Sequence, residues 1–319
     1  MNAAVVRSFD QPPRYESFPD PVPGTDEILI DVTAAGLHPI VKALAKGAHY
    51  GSTGLLPLIP GVDGVGRTAD GARVLFGSSR PPYGTFAERS ITRRAMCTPI
   101  PDGLDDATVA AMMNPGMSSW AALEHRVHFT AGESVLILGA TGSAGKLAVQ
   151  IAKRLGARRV VAAGRNAEAL GETKSLGADA TISLNQDHDK LVSAFREEIA
   201  GNKIDVVLDY LWGAPAEAVL AAITQKGLDH DAGRIRYVEI GSTAGPAITL
   251  PGATLRSSGL ELIGSGFGSA SMEEIFASVR AILQEAARQP FQIRFTTAPL
   301  SDVEKLWNSR EEARLVFQP

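Results

Sequence analysis

The sequence is poor in cysteine, in excess charge of either sign and in long apolar runs. It has 319 residues with a single cysteine, Cys97, which excludes an internal disulfide and a multi-cysteine metal site. The 31 basic and 35 acidic residues give a formal net charge of −4, without the basic excess typical of nucleic-acid-binding proteins. Because no apolar run approaches the roughly 20 residues of a membrane helix and the N-terminus lacks the apolar core of a signal peptide, we expect a soluble, cytoplasmic protein.

Two parts of the chain have different residue patterns. Residues up to about 115 are rich in proline and glycine, with short apolar runs at 27–32, 73–76 and 86–91. This pattern predicts a barrel-like β domain. From about 116 to 265, apolar runs alternate with helical patterns, which predicts a six-stranded parallel sheet covered by helices on both faces. The predicted strands are 135–138, 160–163, 181–184, 204–208, 237–240 and 260–263, and helices are expected at 146–155, 167–176 and 272–288.

The strongest motif is a glycine-rich turn between an apolar strand and an amphipathic helix. Ala140, Gly142 and Gly145 form a variant of the pattern GxGxxG with alanine in the first position. Gly142 would allow the backbone to approach a pyrophosphate, and Gly145 would allow close packing of helix on strand. The alternative is an ordinary tight turn. The βαβ context favours a dinucleotide site formed by Ala140, Thr141, Gly142, Ser143, Ala144 and Gly145.

The end of the next strand indicates which dinucleotide. An NAD site has a carboxylate there to hold the ribose 2′-hydroxyl, whereas this chain has Gly164, Arg165 and Asn166. A guanidinium can pair with a 2′-phosphate through charge-assisted hydrogen bonds. The sequence therefore predicts NADP(H) as the cofactor, the alternative being that Arg165 is simply a solvated residue.

Several further motifs cover nearly the whole chain. They are AGLHP at 35–39, LIPGVDGVG at 58–66, YGTFAE at 83–88 and PGMSSW at 115–120, beside the glycine-rich loop. Together they resemble the medium-chain dehydrogenase/reductases, and more closely their zinc-independent quinone oxidoreductase branch. The resemblance implies an α/β protein: a GroES-like β-barrel catalytic domain (1–116), a doubly wound Rossmann domain (117–265) and a C-terminal return to the catalytic domain (266–319). It also implies a cleft between the domains for cofactor and substrate, and a homodimer or homotetramer.

Differences between this sequence and two related groups of dehydrogenases exclude some catalytic mechanisms. The zinc-dependent branch has its catalytic metal ligands at positions matching His38, Val62 and Asn114, and a valine cannot bind a metal. We therefore expect no metal, with His38 a hydrogen-bonded residue of the cleft. Short-chain dehydrogenases need a lysine four residues after a tyrosine, and none of the five tyrosines has one.

The resemblance implies a tyrosine near the cofactor, upstream of the Pro-Gly pair, and Tyr50 fits this position. Its neighbour His49 replaces it if the loop register differs by one residue, and the alternative is that Tyr50 only covers apolar surface. With His38, these are the candidate catalytic residues. Ser118 matches a small hydroxyl residue close to the nicotinamide, although it could equally be a polar residue at a helix start.

Two loops follow strands at the carboxyl edge, where open α/β sheets bind ligands. The resemblance places them along the nicotinamide ribose and amide, the alternative being simple turns. They contain Gly241, Ser242 and Thr243, and Gly264, Ser265, Gly266 and Phe267. Asp209 and Tyr210 end the fourth strand and receive less weight.

The sequence thus predicts an NADPH-dependent, zinc-independent oxidoreductase that transfers hydride to a quinone or similar conjugated carbonyl acceptor. An enoyl or 2-alkenal reductase uses the same hydride geometry on a C=C bond, and a non-catalytic NADPH-binding protein is the alternative outside enzymes. The expected partner is a small molecule, with neither nucleic acid nor membrane.

Overall fold

The computed structural model describes residues 1–224, 233–309 and 313–319. The strands are β1 (Asn2–Val5), β2 (Arg14–Ser17), β3 (Glu27–Gly36), β4 (Asp63–Thr68), β5 (Arg73–Gly77), β6 (Arg89–Arg93), β7 (Cys97–Pro99), β8 (Ser134–Leu138), β9 (Arg159–Gly164), β10 (Ala180–Ser183), β11 (Val206–Asp209), β12 (Arg234–Glu239), β13 (Gly259–Gly264), β14 (Phe295–Pro299) and β15 (Arg314–Gln318). The α-helices are α1 (Pro39–Ala45), α2 (Asp106–Ala121), α3 (Ser143–Arg154), α4 (Ala167–Ser175), α5 (His188–Asn202), α6 (Gly213–Ile223), α7 (Gly252–Arg256), α8 (Met272–Arg288) and α9 (Val303–Leu306).

The chain divides into two compact units. The first contains Met1–Pro115 and Val279–Pro319, and the second contains Gly116–Ser278. The sequence places the return to the first unit at residue 266, whereas the structure places it at Val279, inside α8. Because α8 has no glycine or proline, nothing in its sequence marks the position where the chain passes from one unit to the other.

The first unit contains a largely antiparallel sheet with the strand order β14-β15-β3-β4-β5-β7, and β6 also pairs with β3. Its core includes Phe86, whose ring makes edge contacts with Trp307 and Phe317. The strand predicted at 86–91 is shifted to Arg89–Arg93. Phe86 and Ala87 are fully buried beside it, and Ala87 makes only an isolated bridge to Ala3.

The second unit is a parallel sheet with the order β10-β9-β8-β11-β12-β13. Numbered within the unit this is 3-2-1-4-5-6, the doubly wound arrangement, so the predicted fold class is confirmed. The central strand β8 is completely buried, because helices cover both faces of a parallel sheet. The strand order reverses between β8 and β11, and ligands of such sheets bind at the carboxyl ends of these two strands.

None of the helices in the described part of the chain combines the length and apolar character needed to cross a membrane.

Candidate functional site

The turn after β8 depends on two glycines. Gly139 has φ +85°, a conformation that favours glycine, and its N–H and that of Ala140 donate to the carbonyl of Ala163 at 3.0 and 2.9 Å. A Cβ on Gly145 would overlap the Gly139 carbonyl oxygen and lie 2.5 Å from Ala140 Cα, so the predicted close packing at Gly145 is present. Gly139 lies outside the pattern formed by Ala140, Gly142 and Gly145, although its place directly after the apolar strand is a usable signal.

The backbone conformation of Gly142 does not itself require glycine. Its φ of −79° is open to any residue, so it is not required for a left-handed turn. It precedes α3 without a capping side chain, and a Cβ there would meet only the Gly139 oxygen, at 3.6 Å. The amides of Ser143, Ala144 and Gly145 lie in the first turn, where no intrahelical carbonyl is available. This exposed helix start can bind an anion such as a pyrophosphate.

Arg165 directly follows β9 and is exposed. Its carbonyl accepts a hydrogen bond from Asn185 Nδ2 at 2.7 Å, while its guanidinium makes no ion pair or hydrogen bond with any described residue. Asn166 caps α4, its Oδ1 accepting from the N–H of Ala169 at 3.0 Å. A Cβ on Gly164 would lie 2.5 Å from Thr141 Cγ2, so Gly164 makes room for that side chain. The end of β9 therefore presents one unpaired cation beside the glycine-rich turn.

Tyr210 follows β11 at the carboxyl edge of the parallel sheet and makes hydrogen bonds to neighbouring residues. Its hydroxyl lies 2.9 Å from that of the buried Ser119 and also hydrogen-bonds Ser118. Its carbonyl accepts from Thr243 Oγ1 at 2.9 Å. Sequence reasoning gave Tyr210 less weight because its position after β11 did not reveal these partners. The structure thus links Ser118 and Thr243, both predicted site residues, through a tyrosine that was not selected.

The loop after β13 is anchored by its backbone. The Gly264 carbonyl accepts from Arg126 Nε at 2.9 Å, and the Ser265 N–H donates to the carbonyl of Glu239 at 2.8 Å. The Gly266 N–H donates to Ser269 Oγ at 2.8 Å. Phe267 remains 41% exposed at the end of this fixed turn. On the preceding loop, Gly241 and Ser242 follow β12 at the same edge of the sheet.

In the first unit, Tyr50 and His49 lie on the loop that follows α1. Their rings stack with centroids 4.0 Å apart, and Tyr50 is 73% exposed. His49 Nδ1 accepts from the N–H of Gly51 at 3.0 Å, and partial burial lowers the pKa of His49. The imidazole is therefore a neutral acceptor at neutral pH, and the tyrosine is the member of the pair that can donate a proton.

His38 is fully buried and lies in a polar cluster with the partly buried Asp63 and Arg314. His38 stands at the N-cap position of α1 without a side-chain capping bond, Asp63 begins β4 and Arg314 begins β15. β3 connects the two strands because it pairs with both. His38 Nε2 lies 3.5 Å from Asp63 Oδ1, and neither atom has a well-aligned hydrogen-bond partner among the described residues. Arg314 donates to the carbonyl of Leu37 at 3.1 Å. His38 thus lies close to a carboxyl group and to the backbone of Ala110, whose hydrogen bond acts to raise the pKa of His38, and its role as a hydrogen-bonded residue of the cleft stays a prediction.

Burial is the largest cause of the pKa shifts of all three groups in this cluster. It holds the pKa of His38 well below its usual range, and the Arg314 charge acts in the same direction. Burial raises the pKa of Asp63 to about 7 against the opposing effect of Arg314, and it lowers the pKa of Arg314 to about 10. His38 is therefore neutral at neutral pH, and Asp63 is about half protonated. Motif 58–66 contained Asp63, but sequence reasoning assigned a role to neither Asp63 nor Arg314.

These residues do not fit a catalytic zinc. Of the three matching positions, Val62 has no ligand atom, and tetrahedral zinc sites require nitrogen, sulfur or carboxylate donors. Within the described ranges, no group of three or more histidine, cysteine, aspartate or glutamate side chains could hold a metal ion.

Comparison with known proteins agrees with this architecture. Residues 144–284 match the family model described as zinc-binding dehydrogenase. The "Probable NADPH-dependent quinone reductase tdiC" of Emericella nidulans is 28% identical, and the match covers 100% of each chain. The trans-enoyl reductase pgmF of Aspergillus terreus is 27% identical over 60% of this chain and 59% of its own length. The solved quinone oxidoreductase of Thermus thermophilus shares the fold, with a TM-score of 0.81 at 24% identity and complete coverage of both chains.

The doubly wound unit and the glycine-rich turn are typical of dinucleotide-binding domains, and the relatives named above are reductases and oxidoreductases. The matched family model, the full-length relative and the shared fold support the medium-chain dehydrogenase/reductase superfamily, and its quinone oxidoreductase-like branch, for this chain.

Proposed function

We propose that this protein is an NADPH-dependent, zinc-independent oxidoreductase that transfers hydride to a quinone or a similar conjugated carbonyl. One observation carries the proposal. The uncapped start of α3 lies at the point where the strand order reverses, with open space at Gly142 and the unpaired guanidinium of Arg165 at the end of the neighbouring strand. This arrangement suits a dinucleotide with a 2′-phosphate, and a relative matched over its full length is named an NADPH-dependent quinone reductase.

In this proposal the chain's own residues bind and orient. The first-turn amides of α3 hold the pyrophosphate, and Arg165 pairs with the 2′-phosphate. Ser118 and the loops 241–243 and 264–267 hold the nicotinamide half. Bound NADPH supplies the hydride, so the contribution of the protein is proximity and orientation.

The reduced acceptor also needs a proton. Tyr50 is the exposed hydroxyl donor beside His49, whose lowered pKa leaves it neutral at neutral pH. Hydroquinone anions also take protons from water, so Tyr50 has an auxiliary role in quinone reduction. His38 is a third candidate, but its ring is buried against Asp63 rather than exposed.

Enoyl or 2-alkenal reduction is the second candidate, because the trans-enoyl reductase of Aspergillus terreus matches a large part of this chain. Steady-state NADPH oxidation with 1,4-benzoquinone and with a series of 2-alkenals separates the two. The proposal requires the higher kcat/KM with quinones. A higher value with 2-alkenals would establish the second candidate, and tight NADPH binding without turnover over a broad acceptor panel would establish a non-catalytic role.

Zinc independence has its own test. The purified protein should contain far less than one zinc per chain, and its rate should not change after treatment with a chelator. Stoichiometric zinc together with chelator-sensitive turnover would contradict the proposal.

The quaternary structure and location are also proposed, from family resemblance: a cytoplasmic homodimer or homotetramer. The sheet supports an assembly through β13, its last strand, where Leu262 is 38% exposed. Light scattering after size exclusion should give twice or four times the chain mass, and a monomer would exclude both assemblies.

A further inference from the structure

Tyr210 lies at the point where the strand order of the second unit reverses. It follows β11 directly, and β11 pairs with β8, which leads into the glycine-rich turn. A Cβ on Gly139 would lie 3.3 Å from Tyr210 Cβ, and a Cβ on Gly241 would lie 3.3 Å from the Tyr210 carbonyl oxygen. Tyr210 therefore lies close to the turn proposed to bind the pyrophosphate, and its carbonyl accepts from Thr243 Oγ1, in the loop that follows β12, at 2.9 Å.

The hydroxyl of Tyr210 faces α2. It lies 2.9 Å from Ser119 Oγ and hydrogen-bonds Ser118 as well. Ser119 is fully buried, whereas Ser118 and Tyr210 are only partly buried. Burial raises the pKa of Tyr210, so the phenol remains neutral and can both donate and accept. The buried serine thus fixes the phenol, and the phenol in turn bonds the more accessible serine.

The position of Tyr210 also indicates which part of a dinucleotide it serves. A doubly wound sheet consists of two mononucleotide-binding halves, and the ribose-reading position after the second strand marks the adenosine half. Here that position is Arg165, after β9. Tyr210 follows the first strand of the other half, β11–β13, which therefore faces the nicotinamide riboside.

We propose that Tyr210 is a positioning residue for the nicotinamide half of bound NADP(H). Its hydroxyl, fixed by Ser119, holds the Ser118 hydroxyl in place against the nicotinamide riboside. This inference rests on the proposed function, because it takes NADP(H) as the ligand. A purely structural role, in which the hydroxyl only joins α2 to β11, is the competing explanation.

Two ligands separate these explanations. NADPH contains both halves of the dinucleotide, whereas adenosine 2′,5′-bisphosphate contains only the adenosine half with its 2′-phosphate. Tyr210→Phe keeps the ring and removes the hydroxyl, and Ser119→Ala removes its buried partner. Tyr83→Phe is the matched control, since it removes a phenol hydroxyl whose bond to the Asp20 carbonyl, at 3.4 Å, lies in the first unit.

Dissociation constants for both ligands, measured by calorimetry, are the readout. Tyr210→Phe should weaken NADPH about 3- to 10-fold, the usual effect of one lost hydrogen bond, and leave the bisphosphate within about 2-fold. Ser119→Ala should have the same selectivity. The double variant should lose no more than the larger single loss, because both changes remove the same interaction. Tyr83→Phe should bind both ligands like the parent chain.

Three outcomes would overturn the inference. Equal weakening of both ligands would show that the hydroxyl supports the fold, and unchanged NADPH affinity in both single variants would show that it does not position the nicotinamide half. Additive losses in the double variant would show that the two hydroxyls act separately. Should Tyr210→Phe fail to fold, Ser119→Ala and its effect on the two ligands decide alone. A parent chain that binds the bisphosphate but not NADPH refutes the proposed function itself, and this inference with it.

Discussion

Each of the two units contains an aspartate with a buried carboxyl oxygen, but the hydrogen bonding of the two carboxyls differs. In the second unit Asp209 accepts from the Tyr237 hydroxyl at 2.7 Å and from the N–H groups of Leu211 and Trp212 at 2.7 and 3.0 Å. In the first unit Asp63 has an unpaired Oδ1 that lies 3.5 Å from His38 Nε2. Burial raises the pKa of both carboxyls, and only at Asp209 do hydrogen bonds from other residues oppose it.

The difference shows how each unit holds its polar groups. In the second unit, backbone turns at strand ends satisfy the carboxyl and leave amides and one arginine for a ligand. In the first unit, side chains from three separate elements approach one another without completing their hydrogen bonds. A buried unpaired group is costly in free energy, so the first unit's cluster should respond to pH whereas the second unit's edge should respond to ligand.

The largest expected effect on NADPH binding is that of a substitution at Gly142, at the start of α3 in the second unit. Gly142→Val should abolish NADPH binding, by more than about 100-fold, because the isopropyl group would occupy the space needed by the pyrophosphate. The fold should be retained, since Gly142 has an ordinary φ and a Cβ there meets only one atom within 4 Å. Fluorescence titration with NADPH and circular dichroism measure the two quantities.

Gly252→Val is the matched control for this substitution, because Gly252 also lies at a helix start and a Cβ there would meet nothing within 4 Å. It should bind NADPH like the parent. Full NADPH affinity in a folded Gly142→Val protein would mean that the phosphates bind elsewhere. The start of α3 would then not be the part of the second unit that responds to the ligand.

Arg165 should have the next largest effect. Arg165→Ala removes the only proposed partner of the 2′-phosphate, and losing a charged hydrogen bond should weaken NADPH about 10- to 100-fold. NADH affinity should hardly change, since NADH lacks that phosphate. The measurement is the ratio of the NADPH and NADH dissociation constants in Arg165→Ala. Lys174→Ala, which removes an exposed cation from the nearby α4, is the matched control. An equal loss of affinity for NADPH and NADH would show that Arg165 supports the fold and does not bind the 2′-phosphate.

The unpaired carboxyl of the first unit predicts a pH dependence of stability. The pKa of Asp63 is raised by folding from 3.8 to about 7, so its contribution to stability is complete below the unfolded value and is lost as the pH rises through about 7. Between about pH 5 and about pH 8 the parent should therefore lose up to about 3 kcal/mol relative to Asp63→Asn. Urea unfolding of both proteins across this range gives the difference, in which the titration of His38 largely cancels.

A constant difference between the parent and Asp63→Asn over that pH range would show that the carboxyl has found a partner in solution. The comparison between the two aspartates would then no longer hold.

The smallest expected effect concerns Tyr50. Tyr50→Phe keeps the ring stacked on His49 and removes an exposed hydroxyl, so thermal stability should change little. Turnover should fall about 2- to 10-fold, as expected for a lost orienting hydrogen bond rather than a lost general acid. The pH profile of kcat separates these roles, because a decline at high pH that disappears in Tyr50→Phe identifies an acid. Parental rate and cofactor affinity would refute any role of Tyr50 and direct attention to His49.

Much of the second unit could be predicted from sequence, and less of the first. The strands around 135–138 and 160–163 and the helix at 272–288 were located closely, because buried parallel strands and amphipathic helices have distinct periodicities. Gly139 was missed because its positive φ depends on the turn geometry rather than on the motif. Arg314 was missed because it lies far along the chain from His38, and only the pairing of β15 with β3 brings them together.

The sequence alone determined the fold class, the glycine-rich turn and the absence of a zinc ligand at Val62, since each follows from local residue types and spacing. Only the tertiary structure decided which hydroxyls surround Tyr210 and which charges surround His38. Hydrogen bonds and desolvation depend on distances between side chains from separate elements, such as Ser119 and Tyr210 at 2.9 Å, and the order of residues along one chain does not specify those distances.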